Sequence, residues 1–353
     1  MGLHVAVTGA TGNVGTSVMR ALGEDDAIAS VVAIARRPPS SSWPKATFVA
    51  ADVARDDLAP HLRGADAVIH LAWLIQPSRD RAETRRVNVE GSTRVFAAAA
   101  EAGVPALVYA SSVGAYSPGP KDRAVDESWP TDGTPTSFYA VDKAAVERRL
   151  NAFERAHPEI RVVRLRPALI FKREAATGIR RLFAGPLLPS PLVRPELLPV
   201  LPLPRGLRMQ AVHADDIAQA YLLAVVDERA RGAYNVAADP VLDGAVLGRA
   251  FGARPVAVPV AAVRAAAAAA WRLRLTPTPP GWLDMGMNVP VMDSARARNE
   301  LGWTPVRSAV EAVEDLVRGL RERADAPTPP LARASSGPAR VREFMTGIGA
   351  RSH

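Results

Sequence analysis

With 353 residues, 48% of them hydrophobic and 23% charged, the chain can bury one large core or two coupled ones and has the balance of a globular protein. The absence of cysteine excludes a disulfide framework, a zinc–thiolate site and a thiol nucleophile, and fits a reducing compartment. The net charge of +8 is scattered in pairs such as Arg36-Arg37, Arg85-Arg86 and Arg180-Arg181 among acidic residues, which is not the clustered footprint of a nucleic-acid binder.

The first 170 residues alternate strand and helix patterns, which predicts a parallel sheet covered on both faces. Leu3 to Thr8 reads as a buried strand, reached from Met1 without a charged leader, so a cytoplasmic location is expected. Asn13 to Leu22 is the helix after it. Strands follow at Val31 to Ala35, Thr47 to Ala50 and Ala67 to Leu71. A long helix is predicted over Thr84 to Ala102, ending at Gly103 with Pro105 beyond. Ala106 to Ala110 is a fifth strand, Ser137 to Ala156 a second long helix, and Arg161 to Leu165 a sixth strand stopped by Pro167. Gly185 to Gly206 is rich in Pro and Leu without helical period, so it forms neither a regular helix nor an interior strand. It suits a lid over an apolar substrate or a connection that packs its leucines on the core. Asp215 to Val226 reads as a helix, Ala233 to Ala237 as a strand, and Ala261 to Leu275 as an Ala-rich helix made for packing. That last stretch contains the longest apolar run, Ala265 to Trp271, which is too short to span a bilayer, so no membrane partner is expected. Helices at Asp293 to Leu301 and Ser308 to Arg323 close the folded part. From Ala324 onward, Pro, Ala, Ser and Arg predict a disordered tail.

Chemistry concentrates at three places. Thr8-Gly9-Ala10-Thr11-Gly12-Asn13-Val14-Gly15 joins the first strand to the first helix. Gly9 permits the tight turn, Gly12 lets backbone approach a pyrophosphate, and Gly15 lets the helix pack closely. The helix N-terminus, through Thr11, Asn13 and Val14, offers amides and a positive dipole end to phosphates. The second strand ends Ala33-Ile34-Ala35-Arg36-Arg37, with no carboxylate for the ribose hydroxyls of NAD, and the arginines favour the extra phosphate of NADP, although NAD stays open. Tyr139 stands four residues before Lys143, on one face of the predicted helix. An ammonium there moves a phenol toward neutral pH. Lysine occurs only at Lys45, Lys121, Lys143 and Lys172, and the broad fork of Arg serves this purpose poorly.

With these motifs the chain resembles an extended short-chain dehydrogenase/reductase of the NAD-dependent epimerase/dehydratase family over roughly residues 3 to 320. The resemblance implies an α/β, Rossmann-type doubly wound parallel sheet with a smaller C-terminal substrate-binding region. On that plan residues 1–171 form the NAD(P)-binding core, 172–208 and 238–292 the substrate-binding region, 209–237 and 293–323 the return to the core, and 324–353 the tail. It further implies that Asp52 and Val53 contact adenine, that Leu71 and Ala72 run beneath the cofactor, and that Asn88 supports its nicotinamide half. Ser112 matches the catalytic Ser, joining Tyr139, Lys143 and Asn88, and Pro167 and Leu169 flank the nicotinamide. Trp73 and Gln76 are candidates to line the substrate pocket, with core packing equally open for Trp73. His213 is a candidate for the substrate rim, as a structural histidine rather than a base. Asp215 and Asp216 are expected to cap the following helix. No metal ligand set is predicted.

The implied reaction is hydride transfer between a nicotinamide and a carbonyl or alcohol carbon of a small molecule, an apolar one if the Pro- and Leu-rich run covers it, and a homodimer is compatible with it. Tyr139 is the general acid or base, Lys143 holds the ribose and lowers the phenol pKa, and Ser112 hydrogen-bonds the substrate oxygen. The alternatives are a nucleotide-sugar epimerase or dehydratase that recycles a tightly held cofactor, and a non-catalytic NADP-binding redox sensor. Against nucleotide sugars, Arg208-Met209-Gln210-Ala211-Val212-His213 has Gln210 and Ala211 where such members carry an acid and an aromatic. Val113-Gly114 likewise offers no Glu beside Ser112. The intact Ser112, Tyr139 and Lys143 set argues against a sensor.

Overall fold

The structure, a computed structural model, describes residues 2–76, 78–183 and 199–332. The chain opens with strand β1 (Leu3–Thr8), helix α1 (Asn13–Glu24) and strands β2 (Ile28–Ala35) and β3 (Ala46–Ala50). The short α2 (Ala59–Leu62) leads into β4 (Ala67–His70). Next, α3 (Arg81–Arg85) passes through one π turn at Arg86–Glu90 into α4 (Gly91–Glu101), followed by β5 (Ala106–Ala110). After β6 (Ala124–Val125) come α5 (Phe138–Ala156), β7 (Arg161–Pro167), β8 (Leu169–Phe171) and α6 (Ala176–Phe183). The second half holds β9 (Val200–Pro204), β10 (Arg208–His213), α7 (Ala214–Val226), β11 (Gly232–Val236) and β12 (Ala238–Asp243). It continues with α8 (Gly244–Phe251), β13 (Arg254–Val258), α9 (Val260–Arg272) and α10 (Gly281–Asn288). The last described elements are β14 (Val291–Met292), α11 (Ala295–Leu301) and α12 (Ala309–Glu322).

Seven strands pair in the order β11-β7-β5-β4-β1-β2-β3, all parallel. Their sequences are near-continuous apolar runs because both faces are covered. On one face, Val18 and Leu22 of α1 and Ile217 and Tyr221 of α7 pack on Val5, Val7 and Val163. On the other, Phe96 of α4 and Val146 and Leu150 of α5 pack on Leu107 and Val162. Strand order reverses between β1 and β4, which opens a crevice beyond their C-terminal ends, where ligands of doubly wound sheets bind. His70, at the end of β4, is buried and tied to Thr8 at 2.6 Å and Ser92 at 2.9 Å. Burial brings its pKa down to about 3, with the Lys143 charge acting in the same direction, so it is a neutral structural side chain.

One carboxylate joins the elements around this crevice. Glu147 of α5 accepts from Ser111 at 2.6 Å, from Arg166 at 2.9 and 3.1 Å, and from Arg164 at 3.2 Å. Arg166 also donates to Tyr116 at 3.0 Å, and the Tyr116 hydroxyl reaches Asn235 of β11 at 2.6 Å. Arg164 further engages Asn151 and Glu154.

Several expectations are corrected. The helix predicted from Thr84 begins at Arg81 and contains a π turn, whose extra residue the periodicity does not register. β7 ends on Pro167 itself, two residues beyond the predicted end at Leu165. Val200–Pro204 pairs with β13 in a two-stranded sheet, where prolines keep their ring on an unpaired side, whereas residues 184–198 of the Pro/Leu run lie outside the described residues. α9 has no fully buried residue and packs only in part, through half-buried Trp271 under the Arg79 guanidinium and through the Arg264–Asp284 pair. Residues 324–332 are folded: Ala324, Thr328 and Leu331 are buried, and Thr177 of α6 donates to the Ala324 carbonyl at 2.7 Å.

Burial raises the Glu147 pKa, but Arg166, Arg164 and the Ser111 hydrogen bond outweigh it and bring the group from 4.5 to about 2. Its folded pKa lies below the unfolded one, so its stabilisation is present above about 4.5 and is lost as pH falls toward 2. Replacing Glu147 by Gln leaves the buried Arg166 guanidinium without its anion, while Arg164 keeps Glu154, and is expected to cost about 3–5 kcal/mol in urea denaturation at pH 7. A cost below about 1 kcal/mol would refute the clamp.

Candidate active site

The crevice is a cleft of about 520 Å³ that runs from the end of β2 across the glycine loop to α10 and the C-terminal segment. Gly9, with φ +75°, lies so close to the β4 exit that a Cβ would stand 2.7 Å from the Ala72 nitrogen. A Cβ at Gly15 would stand 2.3 Å from the Gly9 carbonyl, so this glycine lets the helix close on its own loop rather than on the sheet. Gly12 differs, since a Cβ there would meet only the Gly9 carbonyl, at an ordinary 3.4 Å. Gly12 lines the cleft, so what a side chain there would obstruct is the ligand space.

Thr11, Asn13 and Val14 line the same end. Asn13 donates to Ile170 at 3.3 Å, while its Oδ1 is buried with no partner among the described residues. Arg36 and Arg37 are exposed at the end of β2 and line the cleft with Asp52 and Val53. Leu71 and Ala72 form its floor after β4, and Pro167 and Leu169 its far side. This loop and floor suit the diphosphate of a dinucleotide in shape and donor set.

At the other end stand Ser112, Tyr139 and Lys143. Ser137 caps α5, placing Tyr139 in its first turn and Lys143 one turn on. Gly114 makes room for the phenol, since a Cβ there would stand 2.9 Å from Tyr139 Cε1. Ser112 accepts from the Gly114 amide at 3.0 Å and interacts with the Tyr139 hydroxyl. Lys143 is buried, donates to the Ala110 carbonyl at 2.7 Å, and lies 3.5 Å from the centre of the Trp73 ring. Burial lowers its pKa to about 7, with Glu147 and Asp142 raising it. Burial raises the Tyr139 pKa, and the Ser112 hydroxyl offsets part of that. Burial thus sets the direction of the phenol shift, and the influence that opposes it is the Ser112 hydroxyl, not the expected Lys143.

Asn88 does not line the cleft. It sits in the π turn, fully buried, accepting from the Leu74 amide at 2.7 Å and donating to the Leu74 carbonyl at 2.8 Å, so it positions the loop carrying Trp73. Gln76 lines the cleft, but its amide is spent on the Leu182 and Pro277 carbonyls, both at 3.2 Å. His213 lies outside the cleft lining. It caps α7 by accepting from the Asp215 amide at 3.1 Å and contacts Asp315 at 3.3 Å, so its expected place at the substrate rim is not met. Asp216 caps a different segment from the one predicted, accepting from the Val306 and Arg307 amides. Gln210 bridges to both backbone groups of Met292.

The sequence reading missed most of the substrate wall: Leu182 and Phe183 of α6, Trp282 and Met285 of α10, Tyr221 of α7, and Leu331. Trp282 lies 4.9 Å from both Tyr139 and Phe183, ring centre to ring centre. Gly281 admits this helix, since a Cβ there would fall 2.0 Å from the Thr136 carbonyl. Its only sequence signal is the glycine after Pro279-Pro280. Among the described residues no cluster of His, Asp or Glu could hold a metal, and no helix is long and apolar enough to cross a membrane.

Fold and cleft together define an extended short-chain dehydrogenase/reductase-type enzyme for a nicotinamide cofactor. Residues 5–237 match the model of the NAD dependent epimerase/dehydratase family, and the chain belongs to that family. It is 30% identical over 328 residues to the uncharacterized protein Rv0501 of Mycobacterium tuberculosis, a match covering 89% of this chain and 83% of that protein. Among solved structures, UDP-glucose 4-epimerase of Thermus thermophilus in complex with NAD is similar with a TM-score of 0.66 at 21% identity, covering 90% of this chain and 99% of the other. The dTDP-glucose 4,6-dehydratase DesIV of Streptomyces venezuelae, with NAD bound, is similar with a TM-score of 0.65 at 21% identity, covering 91% and 97%.

Gly12→Ala and Gly15→Ala separate ligand space from loop packing. Gly12→Ala is expected to leave the urea midpoint nearly unchanged while weakening NADP binding at least about tenfold by calorimetry. Gly15→Ala should lower the midpoint itself. Unaltered NADP binding by Gly12→Ala would contradict the placement of the dinucleotide.

Proposed function

We propose that this chain is a reductase that uses NADP in preference to NAD and acts on a carbonyl of an apolar molecule. The observation that carries this reading is a Ser112, Tyr139 and Lys143 set opening onto a wall of Trp73, Leu182, Phe183, Trp282, Met285 and Leu331. Among the described residues the only cations lining the cleft are Arg36, Arg37 and Lys143. Among the described residues the substrate half thus lines the cleft with no guanidinium for a sugar diphosphate. When bound, the cofactor supplies the hydride. Tyr139, held protonated at neutral pH by burial, donates its proton to the carbonyl oxygen as that oxygen gains charge. Ser112 hydrogen-bonds the same oxygen, and Lys143 opposes the charge left on the phenol. Arg36 and Arg37 are exposed where no carboxylate competes on β2, which suits the extra phosphate of NADP. A nucleotide-sugar epimerase is the second reading, favoured by the named activity of the Thermus neighbour.

Tyr139→Phe is expected to lower turnover of an apolar ketone or aldehyde by about 10³-fold while NADPH affinity changes less than about threefold. Full activity in this variant would overturn the assignment. Replacing Arg36 and Arg37 together by Ala should weaken NADPH at least about tenfold and leave NADH nearly unchanged in fluorescence titrations. Equal losses for both would instead assign the arginines no part in the choice of cofactor.

A further inference from the structure

Lys172, immediately after β8, is a buried ionisable group that the proposed chemistry leaves unused. Its side chain does not line the cleft, yet it ends under the first turn of α1. Its ammonium donates to the Asn13 carbonyl at 2.7 Å, to Thr16 Oγ1 at 2.5 Å and to Ser17 Oγ at 3.2 Å. Only 2% of the residue is exposed. Among the described residues it makes no ion pair within 4.0 Å, so a full charge is buried against neutral oxygens alone. Burying an ammonium this way is costly, and a neutral side chain could fill the same space. The first turn it grips carries Asn13 and Val14, which line the cleft, whereas the Gly12 amide is spent on the Gly9 carbonyl at 3.1 Å, and α1 has no acidic residue in that turn.

We propose that Lys172 is a positioning residue for the cofactor: from behind α1 it fixes the glycine loop and adds a positive charge to the helix end that receives the diphosphate. This rests on the reading of that loop as the dinucleotide site. The two effects reinforce one another, because a helix N-terminus attracts an anion through its unpaired amides and dipole, and a buried cation behind it is little screened by water. The charged groups facing Lys172 are Asp215 of α7 and Glu174, which favour its charged form, and Arg20 of α1, which opposes it. Asp215 is itself held by Ser17, Arg20, Arg307 and His213. Burial lowers the Lys172 pKa to about 8, so the group is mostly charged at pH 7 and loses its charge as pH rises through that value.

The test is calorimetric titration of the full chain with ADP-ribose, which carries the diphosphate, and with adenosine, which lacks it. Wild type should bind ADP-ribose, with affinity falling as pH rises through about 8. Lys172→Met should weaken ADP-ribose about tenfold at pH 7, leave adenosine unchanged and abolish that pH dependence. Lys172→Gln, which keeps a donor for the same oxygens without the charge, should weaken ADP-ribose by a similar factor and covers the case in which Lys172→Met does not fold. Failure of wild type to bind ADP-ribose would overturn the dinucleotide reading and this proposal with it. Binding by wild type with both ligands weakened equally in Lys172→Met, or with ADP-ribose unmoved in either folded variant, would leave the dinucleotide reading standing and overturn the role of Lys172.

Discussion

Everything at the reacting end of the cleft hangs on the Glu147 carboxylate. It lies on α5 two turns beyond Tyr139 and one turn beyond Lys143, and it holds Ser111 at the end of β5 and Arg164 and Arg166 on β7. Ser112, the Tyr139–Lys143 pair and Pro167 each follow directly from one of those three elements. An ion cluster this deep is costly to bury and contributes little net stability against an apolar replacement. What it adds is registry, because each guanidinium accepts only one arrangement of strand and helix. The same carboxylate also favours the charged form of Lys143, against the burial that lowers it.

The cleft divides into two chemically distinct halves. One is made of glycine backbone, a helix N-terminus and two exposed arginines, surfaces suited to phosphates. The other is aromatic and aliphatic, assembled from α6, α10 and the C-terminal segment around the loop that Asn88 fixes. Gln76 binds two of these pieces together by taking up the Leu182 and Pro277 carbonyls. Tyr139 stands at the seam, its ring against Trp73 and Trp282 and its hydroxyl near Ser112.

The dinucleotide half was legible because its constraints are local. Glycine spacing, apolar runs and a four-residue interval on a helix translate directly into turn, strand and shared face. The substrate half was not, because it is built by segments far apart in sequence whose composition carries no sign of their place. Pro329, Pro330 and Leu331 read as disorder by composition, yet Leu331 is buried in the cleft wall because α6 offers it a surface at Gly178. His213 and Gln210 sit in a recognisable block, but the block does not say which way a side chain turns. Both turn inward to hold α7 and β14. Asn88 has the opposite history: its importance was legible, and only the π turn reveals that it acts through the Leu74 backbone.

Net reduction and internal recycling differ in where the hydride ends. The most direct measurement incubates the purified protein with NADPH deuterated at the transferable position and an apolar ketone, then analyses product and bound nucleotide by mass spectrometry. The account predicts deuterium on the new carbinol carbon, NADPH consumed mole for mole, and dinucleotide that exchanges freely with solution. Dinucleotide retained through purification until denaturation, with no consumption of added NADPH, would contradict it.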